Sequence, residues 1–258
     1  MTADPSRRFT NRVADYVRTR PGYPAAAMDC LRDEFGLAAG QFVADIGSGT
    51  GISAGPFIDA LCTVYAVEPN AAMRSAAEEH YAGVPQFISL AGTAEQTTLP
   101  GGSVDWVLAA QAFHWFDVRA CKPEFARILR PGGRIVLMWN DRLDDTPFMQ
   151  GYDSLVRRHA LDYESVCHAN TQTDGRLAEL FAPSAPELRR FPNHQDFDYH
   201  GLEGRLLSSS YMPSADHPAA PAMLADLQAL FAQHAAAGTV RFNYETQLFV
   251  GPPRESRP

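Results

Sequence analysis

The stretch Val43-Ala-Asp-Ile-Gly-Ser-Gly-Thr-Gly51 decides the fold of this chain, because a short apolar run passes directly into a glycine-rich turn. The apolar run predicts a buried strand over 42–46, and the residues after the turn predict a helix over 52–61. Glycine adopts positive φ and lets a ligand lie against bare backbone. The first N–H groups of the helix point at the same place. The pattern therefore predicts a ligand site at this turn.

An acid at the end of the next apolar run indicates what kind of ligand binds. Glu68 closes the run Thr63-Val-Tyr-Ala-Val-Glu68, which predicts the second strand. A carboxylate delivered near the turn can accept both hydroxyl protons of a ribose. The turn and Glu68 together predict a nucleoside site.

The spacing of the glycines favours S-adenosylmethionine over a dinucleotide. The dinucleotide fingerprint is G-x-G-x-x-G, but here Gly51 comes one residue early and Ile52 occupies the last position. Asp45 stands two residues before the first glycine, a poor place for a carboxylate beside a pyrophosphate. It suits a ligand with an ammonium group and no phosphate, as in S-adenosylmethionine. An NAD-dependent oxidoreductase is the weaker alternative.

Short apolar runs alternate with helical patterns from residue 42 to residue 139, which predicts a parallel sheet with helices on both faces. The predicted strands are 42–46, 63–68, 86–90, 104–109 and 134–139, with helices at 52–61, 70–82 and 117–129. The segment Leu129-Arg-Pro-Gly-Gly133 predicts a helix stop and a tight turn. Ligands of such sheets bind beyond the carboxyl ends of the strands, so we expect the chemistry after residues 46, 68, 90, 109 and 139.

The pattern changes after Trp139. We predict helices at 147–161, 174–181, 201–209 and 218–236, and a closing pair of strands at 187–191 and 239–250. We expect the chain to form a single domain over residues 1–258. Within it we assign a helical lid (1–40), a cofactor-binding core (41–140), a cap for substrate recognition (141–238) and the last strand (239–250).

Composition limits the classes of function. The 258 residues are 45% hydrophobic and carry a net charge of −8, which argues against a nucleic-acid groove. No apolar stretch reaches the length of a membrane span, and the N-terminus lacks the apolar core of a secretory signal. The four cysteines are scattered, which predicts reduced thiols in a cytoplasmic protein and no metal site. They are Cys30, Cys62, Cys121 and Cys167.

An aromatic loop follows the fourth strand. Phe113-His-Trp-Phe116 places four rings in one short segment, which need a core or a ligand to cover them. An aromatic face also stabilises a sulfonium by cation–π attraction, worth about 0.5–2 kcal/mol. A packing role is reasonable for Phe113 and Phe116, whereas His114 and Trp115 are candidates for the active-site wall.

The chain resembles the class I S-adenosylmethionine-dependent methyltransferases, in the small-molecule subgroup similar to trans-aconitate methyltransferase. The resemblance rests on D-x-G-x-G-x-G at 45–51, Glu68, the His114-Trp115 pair and Leu129–Gly133. It also rests on the leader Phe9–Tyr16 with Arg20-Pro-Gly-Tyr-Pro24 and, more loosely, on Gly204–Pro213. It implies a Rossmann-like sheet of seven mostly parallel strands with an antiparallel last strand. A helical cap would come from the N-terminus and the C-terminal half.

The same resemblance implies roles for single residues. Arg20 would grip the carboxylate of the cofactor, a pairing that suits a guanidinium, and Tyr16 would cover the sulfonium. Ala94 and Glu95 would flank the adenine edge, and Met73 is a candidate for its face. The predicted cofactor contacts are Tyr16, Arg20, Asp45, Gly47, Ser48, Gly49, Thr50, Gly51, Glu68, Pro69, Asn70, Met73, Thr93, Ala94, Glu95, Ala110 and Gln111.

The predicted activity is in-line transfer of the methyl group of S-adenosylmethionine to a small-molecule acceptor, through oxygen, nitrogen, sulfur or carbon. The predicted catalytic residues are His114, Trp115 and Tyr16, and the predicted acceptor contacts are His114, Trp115, Trp139, Asn140 and Tyr211. His114 either acts as a general base or positions the acceptor. Arg142 and Arg205 are lesser candidates for meeting an anionic acceptor.

Other readings of the sequence stay open. An intramolecular cyclase would release methylthioadenosine instead of S-adenosylhomocysteine, and a non-catalytic module would bind the cofactor without turnover. The protein is expected to act as a monomer or homodimer, without nucleic acid or membrane.

Overall fold

A computed structural model describes residues 19–161, 175–209 and 211–252 of the chain. The leader Phe9–Tyr16, the proposed cofactor contact Tyr16 and Cys167 lie outside these residues. Cys30, Cys62 and Cys121 are buried and form no disulfide. Among the described residues, no helix combines the length and the apolar character needed to cross a bilayer.

Seven strands form one sheet in the order β3-β2-β1-β4-β5-β7-β6. Strands β1 to β5 are mutually parallel, and β7 runs antiparallel to both of its neighbours. The predicted mostly parallel sheet with an antiparallel last strand is therefore confirmed. The strands are β1 (Phe42–Ile46), β2 (Thr63–Val67), β3 (Phe87–Leu90), β4 (Val104–Ala110), β5 (Leu129–Arg142), β6 (Glu187–Phe197) and β7 (Val240–Val250).

Helices connect and cover these strands. Those within the described residues are α1 (Ala25–Asp33), α2 (Ala54–Asp59), α3 (Ala71–His80), α4 (Val118–Ile128), α5 (Pro147–His159), α6 (Arg176–Phe181), α7 (Tyr199–Leu207) and α8 (Ala220–His234). Side-chain caps start several of them: Asn70 accepts hydrogen bonds from Ala72 and Met73 N–H groups, and Asp117 accepts from Arg119 and Ala120. Such caps satisfy N–H groups that the first helical turn leaves without partners.

The strands bury both faces of the sheet, because alternate side chains point to opposite sides. Ile46, Leu137 and Trp139 pack with α4 and α6 on one face. Val43, Leu108 and Met138 pack with α1 and α2 on the other. This arrangement explains why the core strands read as nearly continuous apolar runs.

A third apolar cluster lies in the C-terminal half. Helices α5, α7 and α8 pack around Phe242 and Tyr244 of β7. We call these three helices with the two β7 residues the cap cluster. The cap cluster stands beside the sheet, with β7 as its connection to the other strands.

Two strands are longer than the sequence predicts. β5 begins at Leu129 instead of residue 134, with a register shift opposite Val104–Trp106. Gly132 has φ +83°, so the expected turn is accommodated as an irregularity inside the strand. β6 continues to Phe197 because its pairing with β7 runs its full length. Pro192 is tolerated there since β6 is an edge strand.

Candidate active site

A cavity of about 440 Å³ opens at the carboxyl ends of β1 and β4. The strand order reverses between these two strands, which is where open α/β sheets bind ligands. Its lining includes the predicted residues Arg20, Gly47, Ser48, Gly49, Thr50, Ala110, Gln111, Asn140 and Tyr211. Its size is in the range of small-molecule sites.

The glycine turn has room only for glycine at two of its positions. Gly47 has φ +69°, and a Cβ placed there would lie 2.7 Å from the Cβ of Ala112. Gly51 has φ +83°, and its Cβ would lie 2.7 Å from the ring of Tyr81, whose hydroxyl donates to the Gly51 carbonyl at 2.8 Å. The bare backbone of the turn therefore forms one wall of the cavity.

Glu68 is held against this turn from two sides. Its Oε2 accepts a hydrogen bond from the N–H of Gly49 at 3.0 Å, and its Oε1 accepts one from the N–H of Asn70 at 2.8 Å. Burial raises the pKa of Glu68, while these two N–H groups and nearby Arg74 oppose that rise. Each carboxylate oxygen keeps further acceptor capacity, which fits the predicted role at a ribose.

Asp45 lies fully buried beneath the turn. Its Oδ2 accepts a hydrogen bond from the Ser53 hydroxyl at 2.6 Å, while Oδ1 is buried without a partner among the described residues. Burial raises the pKa of Asp45 to about 7, with a further rise from Glu68 and an opposing effect of Ser53. A buried carboxylate oxygen without a partner is costly. It fits a ligand that brings a hydrogen-bond donor to the site.

Gln111 holds a strained backbone conformation where β4 ends. Its φ is +56°, a region that costs a non-glycine residue energy and that is enriched at functional sites. The Gln111 N–H donates to the Met138 carbonyl at 2.9 Å, and its side chain donates to the Asn140 carbonyl at 3.2 Å. These bonds fix the chain where Ala110 and Gln111 face the cavity.

The aromatic loop forms a 3₁₀ turn over Phe113–Trp115. Phe113 and Phe116 are buried in the core, as expected for packing residues. The rings of His114 and Trp115 lie 4.5 Å apart, but neither residue is among those that line the cavity. Arg176 of α6 donates to the carbonyls of Phe113, His114 and Phe116, so it anchors the loop. The sequence reasoning missed this arginine.

Other predicted cofactor contacts support the site from outside the cavity lining. Pro69 and Asn70 lead into α3, where Asn70 is the N-cap, and Met73 is buried in the first turn of that helix. The loop after β3 holds Thr93, Ala94 and Glu95, and Glu95 accepts a hydrogen bond from the N–H of Asp117 at 3.0 Å. This bond ties the loop to the start of α4.

Trp139 and Asn140 point to opposite faces of β5, since neighbouring strand residues alternate. The Trp139 ring lies in the core, with centroids 5.5 Å from Phe249 and 6.3 Å from Phe113. Asn140 lines the cavity and donates to the Gly22 carbonyl at 3.1 Å. Trp139 packs in the core and is not among the residues that line the cavity, so its expected acceptor contact stays a prediction.

Another part of the cavity lining comes from residues that the sequence reasoning largely did not single out. They are Pro21, Tyr23, Asp141, Arg142, Leu143, Asp144, Asp153, Arg157, Arg205, Tyr211 and Tyr244. Residues 141–144 lie at the carboxyl end of β5, so their position along the chain was a usable signal. Asp153 and Arg157 form an i,i+4 ion pair on α5, a pattern that alone does not distinguish a cavity wall from solvent.

Known proteins resemble this chain in sequence. The model of the methyltransferase domain family matches residues 44–137. An uncharacterised methyltransferase of Mycobacterium tuberculosis is 43% identical over 155 residues, which cover 60% of this chain and 61% of that protein. The match thus spans about three fifths of the length of this relative. An uncharacterised methyltransferase of Geobacillus thermodenitrificans is 32% identical over 149 residues, covering 56% of this chain and 68% of its own.

The fold also matches a solved structure. A protein from Anaeromyxobacter dehalogenans, assigned as a type II methyltransferase, superposes with a TM-score of 0.68 at 23% identity. The match covers 92% of this chain and 99% of that one. The range matched by the family model includes the glycine turn, the buried Asp45 and the strand-end Glu68. The chain belongs to the class I S-adenosylmethionine-dependent methyltransferases.

Proposed function

We propose that this protein transfers the methyl group of S-adenosylmethionine to a small-molecule acceptor bound under the cap cluster. The observation that carries the proposal is that one cavity joins two different walls. One wall is the glycine turn above Asp45 and beside Glu68, and the other comes from β5, α5, α7 and β7. A site for a cofactor alone has no need of the second wall.

The cofactor, when bound, supplies a methyl carbon that a nucleophile can attack because a sulfonium sulfur leaves from it. Glu68 accepts hydrogen bonds from the ribose, Asp45 and Ser53 meet the cationic end, and Arg20 holds the carboxylate. Arg20 is already oriented by donating to the Ser208 carbonyl at 2.8 Å. Holding the acceptor about 3–3.5 Å from the methyl carbon in a water-poor cavity is the main source of catalysis.

Acceptor positioning falls to the second wall in this proposal. Asn140 and Tyr211 line the cavity. We propose that His114 and Trp115 form the part of the active site next to the aromatic loop. His114 removes a proton from the acceptor where the acceptor needs to lose one. Tyr16, which lies outside the described residues, is assigned to the sulfonium end. The acceptor atom is oxygen, nitrogen, sulfur or carbon.

The test is incubation of the purified protein with S-adenosylmethionine alone and then with a metabolite extract, following both nucleoside products by mass spectrometry. Methyl transfer predicts S-adenosylhomocysteine only when the extract is present. Methylthioadenosine formed from the cofactor alone would favour an intramolecular cyclase. Tight cofactor binding without either product would favour a non-catalytic module. Both of these outcomes contradict the proposal.

A further inference from the structure

Arg205 carries a buried positive charge, and no carboxylate of the described residues pairs with it. The residue is only 6% exposed. Its Nε donates to the Tyr244 hydroxyl and its Nη1 to the Ser209 hydroxyl, both at 3.1 Å. Its guanidinium carbon lies 5.4 Å from the centre of the Phe242 ring. The partners are two hydroxyl groups and an aromatic ring, and among the described residues no acid forms an ion pair with Arg205.

The free-energy cost of such a charge is high. Buried charges in folded proteins are paired or hydrogen-bonded to an opposite charge, because desolvation is not otherwise offset. In the described part of the chain, Nη2 of Arg205 makes no hydrogen bond, and Arg205 lines the cavity. The guanidinium therefore presents a donor to whatever occupies the cavity.

The other charges of the cavity are balanced without Arg205. Asp153 forms ion pairs with both Arg142 and Arg157. Four arginines (20, 142, 157 and 205) and three aspartates (141, 144 and 153) line the cavity, which leaves one positive charge in excess before any ligand binds. The cofactor adds an amino-acid carboxylate, which we assign to Arg20, together with a sulfonium and an ammonium group.

The positive charge of Arg205 also affects the pKa of a nearby tyrosine, Tyr211. Burial by itself would raise the pKa of Tyr211, yet Arg142, Arg205 and Arg20 outweigh burial and lower it. Tyr211 also lines the cavity. The lowered pKa of Tyr211 therefore reflects a positive potential from these arginines at this part of the cavity, which a bound anion would offset.

We propose that Arg205 binds a carboxylate of the methyl acceptor, and that the acceptor class is small organic acids with one charged carboxylate at this part of the cavity. The inference rests on the proposed methyl transfer and adds the chemical class of the substrate. A guanidinium matches the planar geometry of a carboxylate. A doubly charged phosphate ester suits the site less well, because three aspartates also line the cavity and the lining has an excess of one positive charge. The carboxylate is the binding group, whichever atom receives the methyl.

The first test uses the wild-type protein. A metabolite extract is separated at neutral pH on an anion exchanger, and each fraction is incubated with S-adenosylmethionine while S-adenosylhomocysteine is measured. We expect acceptor activity in the retained fraction, and we expect it to survive treatment of that fraction with a phosphatase. Activity confined to the unretained fraction, or abolished by phosphatase, would overturn the proposal. Absence of S-adenosylhomocysteine from every fraction would contradict the methyl transfer itself, and the inference with it.

The second test compares arginine variants on the active fraction. Arg205→Met is expected to raise the acceptor concentration for half-maximal rate at least tenfold, since hydrogen bonds to charged groups are among the stronger ones. Cofactor affinity by calorimetry should change less than twofold. Arg205→Lys keeps the charge and should lose less than Arg205→Met. Arg241→Met, at an exposed arginine paired with Asp196, is the matched control and should behave as wild type.

Arg20→Met separates the two proposed carboxylate sites. It should weaken cofactor binding at least tenfold, which Arg205→Met should not. If Arg205→Met weakens cofactor binding while leaving the acceptor dependence unchanged, Arg205 serves the cofactor and the proposal is wrong. If Arg205→Met does not fold, the Arg205→Lys variant and the wild-type fractionation still decide the question.

Discussion

The carboxylate of Glu68 accepts a hydrogen bond from the backbone N–H of Gly49 at 3.0 Å, which fixes the acid at the end of β2 against the middle of the glycine turn. The second carboxylate oxygen accepts from Asn70, the residue that caps α3. One side chain thereby sets the relative positions of the turn, the strand end and the helix start. The ligand wall and its proposed ribose acceptor are parts of one hydrogen-bonded unit.

Replacing this acid should weaken cofactor binding. In Glu68→Gln, the amide oxygen can accept from only one of the two N–H groups, and the amide NH₂ faces the other. We expect a loss of affinity for S-adenosylmethionine of about tenfold or more, since hydrogen bonds to charged groups contribute roughly 1.5–3 kcal/mol. Calorimetric titration measures the affinity. Glu79→Gln, at an exposed acid on α3, is the control, and equal affinities in both variants would remove Glu68 from the nucleoside site.

Asp45 should make the stability of the protein depend on pH in a specific interval. Its pKa is about 7 in the folded chain, against 3.8 for an unperturbed carboxyl. Between pH 3.8 and about pH 7, the carboxyl of Asp45 loses its proton more readily in the unfolded chain than in the folded one. Rising pH therefore lowers the free energy of unfolding in this interval, and above about pH 7 the loss is constant. Asp45→Asn abolishes this contribution. Relative to wild type, its free energy of unfolding should rise from about pH 4 to 7, reaching about 1 kcal/mol or more.

Urea unfolding at a series of pH values measures this difference, with the exposed Asp59→Asn as the control. The same asparagine variant should bind S-adenosylmethionine about tenfold or more weakly, because a charged acceptor is lost. Higher stability together with lower affinity would identify Asp45 as a ligand-binding group. A stability difference that does not vary between pH 4 and 7 would contradict the assignment.

The glycine turn offers a matched pair of substitutions. Gly47 and Gly40 both have positive φ, but only at Gly47 would a Cβ meet a neighbour, at 2.7 Å from the Ala112 Cβ. Gly47→Ala should therefore cost about 1–3 kcal/mol more of unfolding free energy than Gly40→Ala, since overpacking adds to the common backbone strain. Chemical denaturation measures both. Equal losses would mean that the turn can move away from Ala112.

The role proposed for His114 is tested by its pH profile. Asparagine can donate and accept hydrogen bonds but does not titrate near neutral pH. If His114 removes a proton from the acceptor, His114→Asn should abolish the rise of kcat with pH that a general base produces. His194→Asn, at an exposed histidine on β6, should keep the wild-type profile. A His114→Asn profile of unchanged shape would leave the residue a positioning role only.

The part of the cavity at the glycine turn was predictable because its signals are local. Asp45 and the three glycines are contiguous with the strand that positions them, and Glu68 ends the adjoining strand. The position of Trp139 in the core was not predictable, because an apolar run that is buried on both faces does not reveal which side each residue takes. Asn140 and Trp139 were both predicted at the acceptor, and the structure places only Asn140 at the cavity.

The part of the cavity next to the cap cluster was predictable only in part because its residues come from distant segments. Arg205 of α7, Tyr244 of β7 and Asp153 of α5 meet only after the sheet has closed. A lone arginine or an i,i+4 ion pair has the same sequence pattern on a solvent face as on a cavity wall. Sequence reasoning therefore named Arg205 as a candidate without the contacts that distinguish it. The length of β6 was missed for a similar reason, since pairing with β7 extends it.

The separate apolar packing of the cap cluster has a consequence for how this enzyme can diversify. Helices α5, α7 and α8 rest on Phe242 and Tyr244, whereas the glycine turn and Glu68 rest on β1, β2 and α3. If the proposed function holds, substitutions at cap positions that face the cavity should change the choice of acceptor without disturbing the glycine turn and Glu68. These cap positions are therefore suitable sites for a mutant library that is screened for activity on other acceptors.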